Sequence, residues 1–495
     1  MEDLALALGD YGMVANGVTV KRWGATMNRG SVAGAGLVIG DTPPEELSTY
    51  RRIWELAWPV SISTSTVTLL TLANLFWIGH LGTAAVAAVA LCGNILFIVF
   101  GISDVVYTGA LAIVSRRVGE GNLSEAFNAS AHGVCLGAVL GGVIAVVGSL
   151  GAPAIVGFFG AGAAVEHAAI PYLRIMFVCQ IFLYVSTALR AGYQAAGDAR
   201  TPMFVSLVVV IVNGVLDPFF IFTPGEMVVG GVSLGWLGWG VPGAAIAAAC
   251  SAAMGLALFV SVSLLLERPF RWPAHGVRLV PAQFWHMLRI GTPASVSMIA
   301  RPLSTFLLLK VIASFGTAAI AAFGIALRSF SVNWIPYSGI NAAVATLVGQ
   351  SLGACNVREA ERAVSRGLVV TVVLGVVFCV TYYAFSREII LAFDRETAVV
   401  TAGVPFLKLM ALSFLFSAPM FPLVSAMNGA GDTQPPMVVA FLANWPIKLP
   451  LAYVLALPLG YGIDGVWIGM FVSIVFEAVV MFGWYRRGTW RTKRV

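Results

Sequence analysis

The chain is poor in charge. Asp, Glu, Lys and Arg supply 11% of its 495 residues, against about 25% in ordinary soluble domains. Hydrophobic residues supply 59%, which leaves too little polar surface to keep a chain dissolved. The length would allow several soluble domains, but no polar linker divides the apolar runs. Histidine is scarce, with five residues mostly in loops. Clustered histidines, acids or a nucleophile at membrane depth are missing, which argues against a membrane-embedded enzyme. The six cysteines form no CxxC pair and sit mostly in apolar runs, so neither disulfides nor a zinc site is expected. GAGAAV at 160–165 lacks a P-loop or Rossmann context, and no selectivity filter or charged ring suggests a channel. No catalytic residue, metal site or cofactor is expected. The net charge of +6 comes from basic residues in short loops, where they read as orientation signals rather than a nucleic-acid surface. Residues 1–48 lack the apolar core of a signal peptide and read as a disordered cytoplasmic tail, with Met27 an alternative start.

Long apolar runs make up most of the rest. Crossing a bilayer takes roughly 20 apolar residues in a helix, whose backbone groups are satisfied internally. Twelve spans are expected, at about 53–79, 84–114, 129–150, 168–190, 203–222, 241–265, 290–313, 318–349, 364–385, 397–427, 436–456 and 462–485. A β-barrel would show short alternating strands instead.

Lys and Arg set the orientation. Arg116 and Arg117 follow span 2, Arg200 follows span 4, and Arg268, Arg271, Arg278 and Arg289 follow span 6. Arg358, Arg362 and Arg366 follow span 8, and both tails are basic. The loops after spans 1, 3, 5 and 7 carry none, and only Arg387 and Arg395 after span 9 break the pattern. Both termini are therefore expected in the cytoplasm, in a multi-pass protein of the cell inner (plasma) membrane.

The chain also repeats itself. GTAAVAA at 82–88 returns as GTAAIAA at 316–322, and GDARTPM at 197–203 returns as GDTQPPM at 431–437. VGEGNLSEA at 118–126 returns as LGACNVREA at 352–360, and Pro59 as Pro293. Every pair is offset by 234 residues. A duplicated six-span unit follows, its copies related by an axis along the membrane normal. The expected organisation is a tail over 1–48, a six-helix lobe over 49–265, a cytoplasmic linker over 266–289, a second lobe over 290–485 and a basic tail over 486–495. Within the linker, PAQFWHMLRIG suggests an interfacial helix. Asp198 and Asp432 in the GD loops read as turn and cap residues rather than chemistry.

The GD-x-x-x-P-M loops before spans 5 and 11, ATLVGQSLGACNVREAERA at 345–363 and VNGVLDPFFIF at 212–222 resemble the multidrug and toxic compound extrusion (MATE) family, in the right order over residues 50–485. The resemblance implies an all-α fold of two six-helix lobes around a central cleft. It implies export of amphipathic, cationic compounds driven by inward flow of protons or sodium. The cargo would be a small molecule, the coupling ion H+ or Na+, and the working unit a monomer in the bilayer. A flippase for lipids or lipid-linked sugars, of the same two-lobed superfamily, is the alternative.

Intramembrane polar residues need a reason, since a charge at mid-bilayer costs about 2.5–3.5 kcal/mol even on a lenient scale. Asp217 lies in span 5 with no basic neighbour in sequence, and Asn213 is four residues earlier on the same face. Pro218 has no N–H for the Gly214 carbonyl and should bend the helix, a candidate hinge. The resulting oxygen cluster suits a hard cation, and a carboxylate removed from water also takes up a proton readily. The bland alternative is an Asp held neutral by a structural hydrogen bond. Asn74 of span 1 should lie at similar depth. The family usually has Asp at the position of Asn74 and often a Thr where this chain has Ala248. Those departures leave Asp217 as the lone carboxylate and place proton coupling ahead of sodium coupling. By the constant offset Asp217 maps to Leu451 and Asn74 to Leu308, so the second half has no equivalent acid. It carries Arg301, Lys310 and Lys448 instead. Asp104 of span 2 could pair with Arg301 across the cleft, or each could stay within its own lobe. Lys408 and Glu477 could snorkel or pair. Basic residues facing the cleft would favour anionic or zwitterionic cargo.

Overall fold

The computed structural model describes residues 45–265 and 278–493, apart from residues 161, 227, 230, 231 and 234. Most of the expected N-terminal tail, and the linker stretch 266–277, lie outside the described residues; a helix begins at Glu45. Among the described residues eleven helices are long and apolar enough to cross a membrane, and a bent pair, counted as one span, makes twelve. Spans 1–6 are Glu45–Gly79, Thr83–Gly119, Leu123–Phe158, Ala163–Ala195, Arg200–Ile221 and Gly240–Leu265. Span 7 is Pro281–Ala313 and span 8 the pair Thr317–Ser331 and Trp334–Gly353. Span 9 is Val357–Ala384, span 10 Thr397–Gly429, span 11 Gln434–Ala456 and span 12 Gly462–Arg487. A two-residue ribbon, β1 (Val228–Val229) and β2 (Val232–Ser233), joins spans 5 and 6.

Three features depart from the expectation. Span 8 is broken by 44°. Pro336, just past the break, offers no N–H to the preceding turn, and the Asn333 N–H bonds Phe330 O at 3.0 Å, three residues back. PAQFWHMLRIG is not a separate interfacial helix; it is the first turns of span 7. The loop after span 9 contains a short helix, Ser386–Phe393, with Ile390 buried.

The duplication is legible in the backbone. Gly82 and Gly316 start spans 2 and 8 with the same φ of 99° and ψ of 176°. Asn122 and Asn356 cap spans 3 and 9, each accepting the N–H three residues on at 3.1 Å. Gly121, at φ 73°, has Cys355 as its counterpart, held at φ 57°. A side chain in that left-handed region is strained; the duplicated turn demands the conformation whatever residue occupies it.

The halves also meet reciprocally. A methyl group on Gly119 would collide with the Gln350 carbonyl, and one on Gly353 with the Arg116 carbonyl. Likewise Gly291 lies against the Val105 carbonyl and Gly339 against the Ala57 carbonyl. In both cases the partners exchange by the same 234-residue step, as a pseudo-two-fold axis requires. Small residues let these backbones approach where no hydrophobic force drives helices together in lipid. Ser295 Oγ donates to Gly101 O at 2.8 Å, Ser338 Oγ to Thr64 Oγ1 at 2.8 Å, and Gln350 Nε2 to Ala195 O at 2.8 Å across the same seam. All these contacts lie from mid-span toward the ends that carry the basic loops. A methyl group on Gly93, in the other half of span 2, would meet nothing within 4 Å. The lobes therefore meet on the basic side, whereas Thr317–Ser331, the opposite half of span 8, packs on helices of its own lobe.

Span 11 is not a simple copy of span 5. It contains a π-helix, Ala443–Lys448, around Pro446, which accommodates one extra residue. The extra residue can be placed. Spans 6 and 12 open alike, with Gly240 at φ 59° and Gly462 at φ 62°. Three residues on, Gly243 packs against the peptide joining Phe220 and Ile221, and Gly465 against the peptide joining Leu455 and Ala456. The offset between spans 5 and 11 is thus 235 past the bulge.

Candidate functional site

Asp217 and Asn213 are both 0% exposed. They sit one turn apart on span 5, facing spans 1 and 6. With its amide nitrogen turned toward the carboxylate, Asn213 donates to Asp217 Oδ2 at 3.2 Å and to Asn74 Oδ1 at 3.1 Å, and its oxygen accepts the Ala248 N–H at 3.2 Å. The structure thus brings Asp217, Asn213 and Asn74 together. Ala248 supplies only its backbone, so no hydroxyl enters at that position of span 6. Tyr172 of span 4 is buried within electrostatic reach of the carboxylate. The other carboxylate oxygen, Oδ1, is buried with no hydrogen-bond partner among the described residues. A buried acceptor left open costs about 1–3 kcal/mol or more, and a proton or a cation would satisfy it. Among the described residues no three His, Cys, Asp or Glu side chains gather to hold a metal ion. Pro218 lies in the last turn of span 5, which ends at Ile221. A bend there moves that turn and the segment behind it, where the Trp236 and Leu237 N–H groups bond Phe219 O at 3.3 and 3.0 Å.

The second lobe holds a cluster of its own. Arg301 of span 7 reaches Glu477 of span 12, its Nη2 at 2.5 Å and its Nε at 3.2 Å from Oε1. Lys448 of span 11 is 5% exposed and donates to Asn444 Oδ1 at 2.8 Å and Thr305 Oγ1 at 3.1 Å. Ser304 Oγ donates to Arg301 O at 2.8 Å. Of the two alternatives for Asp104 and Arg301, the structure has the second: each side chain finds partners inside its own lobe. Asp104 accepts Thr108 Oγ1 at 3.2 Å and lies within electrostatic reach of Arg190. Lys310 is exposed in the last turn of span 7 and joins no ion pair among the described residues. Lys408 lies over the Tyr383 ring at 5.5 Å and does not pair with Glu477.

The bulge corrects the sequence map between the halves. With one residue inserted, Asp217 corresponds to Ala452 rather than Leu451, and Lys448, the last residue of the bulge, falls at the level of Asn213 and Gly214. Ala452 is not ionisable, so the second half has no acid at the position equivalent to Asp217. Two site residues escaped the sequence reading. Glu477 was recognised as an intramembrane acid but not as the partner of Arg301. Arg190, at the end of span 4, stacks over Tyr107 at 5.2 Å, and Tyr107 Oη donates to Gln194 Oε1 at 2.7 Å. Its signal was an arginine closing a long apolar run.

Comparison with known proteins agrees with this architecture. The MatE family model matches residues 59–219 and again 293–454, the second match being one residue longer, as the bulge requires. A probable multidrug resistance protein NorM of Thermotoga maritima is 25% identical over 459 residues, covering 92% of this chain and 96% of its own. Probable multidrug resistance protein YoeA of Bacillus subtilis is 24% identical over 473 residues, covering 92% and 99%. A solved structure described as the outward-facing conformation of a multidrug resistance MATE family transporter superposes with a TM-score of 0.80 at 22% identity, covering 90% of this chain and 98% of that one. That likeness concerns the fold. Two copies of one family repeat, on a two-lobed helical frame closed along a reciprocal seam, identify this chain as a member of the MatE family of multidrug and toxic compound extrusion transporters.

Proposed function

We propose that the protein is a secondary antiporter that exports small amphipathic compounds in exchange for an inward coupling ion held at Asp217. The basic loops support cytoplasmic termini in a protein of the cell inner membrane. The seam is then closed on the cytoplasmic side, and the cleft opens outward. One protomer carries both lobes and both polar clusters, so a monomer suffices. The observation that carries the reading is the Asp217 carboxylate, fully buried with Oδ1 unsatisfied. The proton is the first coupling ion and sodium the second. Sodium would need several oxygens at once; here Asn74 Oδ1 is engaged by Asn213, and position 248 of span 6 offers no hydroxyl. Protonation removes the charge that faces the two amides, and the last turn of span 5 can then bend at Pro218. That bend narrows the first-lobe pocket and expels cargo outward; deprotonation resets it. The names of the relatives point to multidrug resistance and give the lipid-flippase alternative no support.

Liposomes reconstituted with the full chain test this. Proton and sodium gradients are imposed separately, and a fluorescent cationic dye reports transport. The expected result is dye movement with a proton gradient alone. Movement driven by a sodium gradient at equal pH on both sides would reverse the order of the two ions, and movement with neither gradient would overturn antiport.

A further inference from the structure

We propose that the second lobe contains an anion subsite, built on Lys448 and Arg301, that receives a carboxylate or phosphate group of the transported compound. This deepens the export reading, on which it rests, by specifying the cargo: an amphipathic compound with at least one anionic group.

The bulge in span 11 is the first observation. One inserted residue sets Lys448, the last residue of the bulge, at the level of Asn213 and Gly214 in the first lobe. Each lobe then has a buried charge one turn from an asparagine on the same helix: Asp217 with Asn213 at 3.2 Å, Lys448 with Asn444 at 2.8 Å. The two lobes present the same construction with opposite sign.

Charge balance is the second. Arg301 and Lys448 bring two positive charges, and Glu477 brings one negative charge, already bound by Arg301. Arg301 and Glu477 both act electrostatically on Lys448, yet among the described residues Lys448 forms no ion pair and touches only neutral oxygens. An uncompensated buried cation is costly, and a counter-anion removes the cost. Snorkelling offers no escape. Lys448 lies eight residues from the near end of span 11 at Ala456, about 12 Å at helical rise, beyond the reach of its stem.

Donor supply is the third. The Lys448 ammonium has three N–H groups, two of which are spent on Asn444 and Thr305. The Arg301 guanidinium binds Glu477 through Nε and Nη2, which leaves Nη1 without a partner among the described residues, on a side chain 35% exposed. A planar fork beside an ammonium suits a carboxylate or phosphate.

Position is the fourth. Gly291, Ser295, Pro302 and Thr305 recur at helical spacing on one face of span 7. Gly291 and Ser295 of that face touch span 2 across the seam. Thr305 continues it beyond the last seam contact, where the lobes part. The oxygen that holds Lys448 therefore borders the cleft.

The test uses rhodamine B and its ethyl ester, which share a cationic ring system and differ in whether the carboxylate is free. Binding to the full chain in phosphatidylcholine vesicles is measured by fluorescence anisotropy at neutral pH with no gradient imposed. The wild type should bind the acid about tenfold more tightly than the ester, as one charge-assisted contact supplies. Lys448→Met should lower acid affinity to that of the ester, and Lys448→Arg should keep the preference. Equal affinities in the wild type, or a preference that survives Lys448→Met, overturns the proposal. The wild-type comparison stands even if the Met variant fails to fold, which its elution profile reports. Repeating the measurement with phosphatidylglycerol in the vesicles separates cargo from lipid. The preference should persist; its loss assigns the subsite to a lipid headgroup and overturns the cargo assignment. Because no gradient is used, these outcomes are independent of whether Asp217 couples transport to an ion.

Discussion

The two lobes share caps, turns and seam contacts to the level of individual dihedral angles, yet differ in charge where their polar clusters sit. The first lobe buries an acid with two amides and leaves one carboxylate oxygen open. The second buries a lysine and a glutamate beside an arginine. Duplication conserved what the backbone requires and left the side chains at the clusters free to diverge. Scaffold positions are set by geometry that both halves must satisfy. Cluster positions are set by what each half must bind.

Substitutions can break this comparison at graded cost. The largest effect is expected from Asp217→Asn, which keeps the shape and removes the ionisable group. Gradient-driven efflux in liposomes should fall by about a hundredfold or more, in line with about 2.7 kcal/mol of lost coupling; unchanged efflux would sink the coupling role. Its structural counterpart Ala452→Val, on the other lobe, should leave gradient coupling in place.

Glu477→Gln comes next. It leaves the Arg301 charge without its carboxylate, and about 3 kcal/mol of stability should be lost, visible as a lowered unfolding midpoint in detergent. Replacing Arg301 and Glu477 together by leucine should cost less than either single change. Additive losses would show that the pair is not coupled.

The seam offers a sharper symmetry test. Gly119→Ala and Gly353→Ala each push a methyl into a carbonyl of the opposite lobe. Each should destabilise the closed seam by about 1–3 kcal/mol, and the two losses should match. Markedly unequal unfolding midpoints would contradict the reciprocal axis. The smallest effect is expected from Cys355→Gly, which restores the residue type of Gly121 at a positive φ. It should stabilise the protein by about 1 kcal/mol, read by the same thermal measurement.

Much of the fold was legible because it repeats. Long apolar runs marked the twelve spans, and a constant offset at four places marked the two lobes, since caps such as Asn122 and Asn356 need the same residue at the same turn. Asp217, Asn213 and Asn74 were legible because polar residues in apolar runs stand out and helical spacing puts two of them on one face. The break in span 8 was not, because Pro336 is one of many prolines in or near spans and most of those spans remain continuous. The bulge in span 11 was hidden for a different reason. No shared motif follows GDTQPPM within that span, so nothing in the sequence marked where one residue had been gained. That single residue misplaced the partner of Asp217 and concealed that Lys448 sits at the level of Asn213. The Arg301–Glu477 pair spans 176 positions, a distance that no local pattern encodes.

The reciprocal seam has a consequence for the origin and handling of such a chain. A surface on which Gly119 meets Gln350 while Gly353 meets Arg116 is complementary to its own copy. Half-length chains carrying residues 49–265 or 290–485 already possess the contacts needed to dimerise with each other, and each comes close to the contacts needed to pair with itself. The joined protein can therefore be viewed as a tethered dimer, in which the linker fixes which two protomers meet and so permits them to carry opposite charge without ever facing a twin of the same sign.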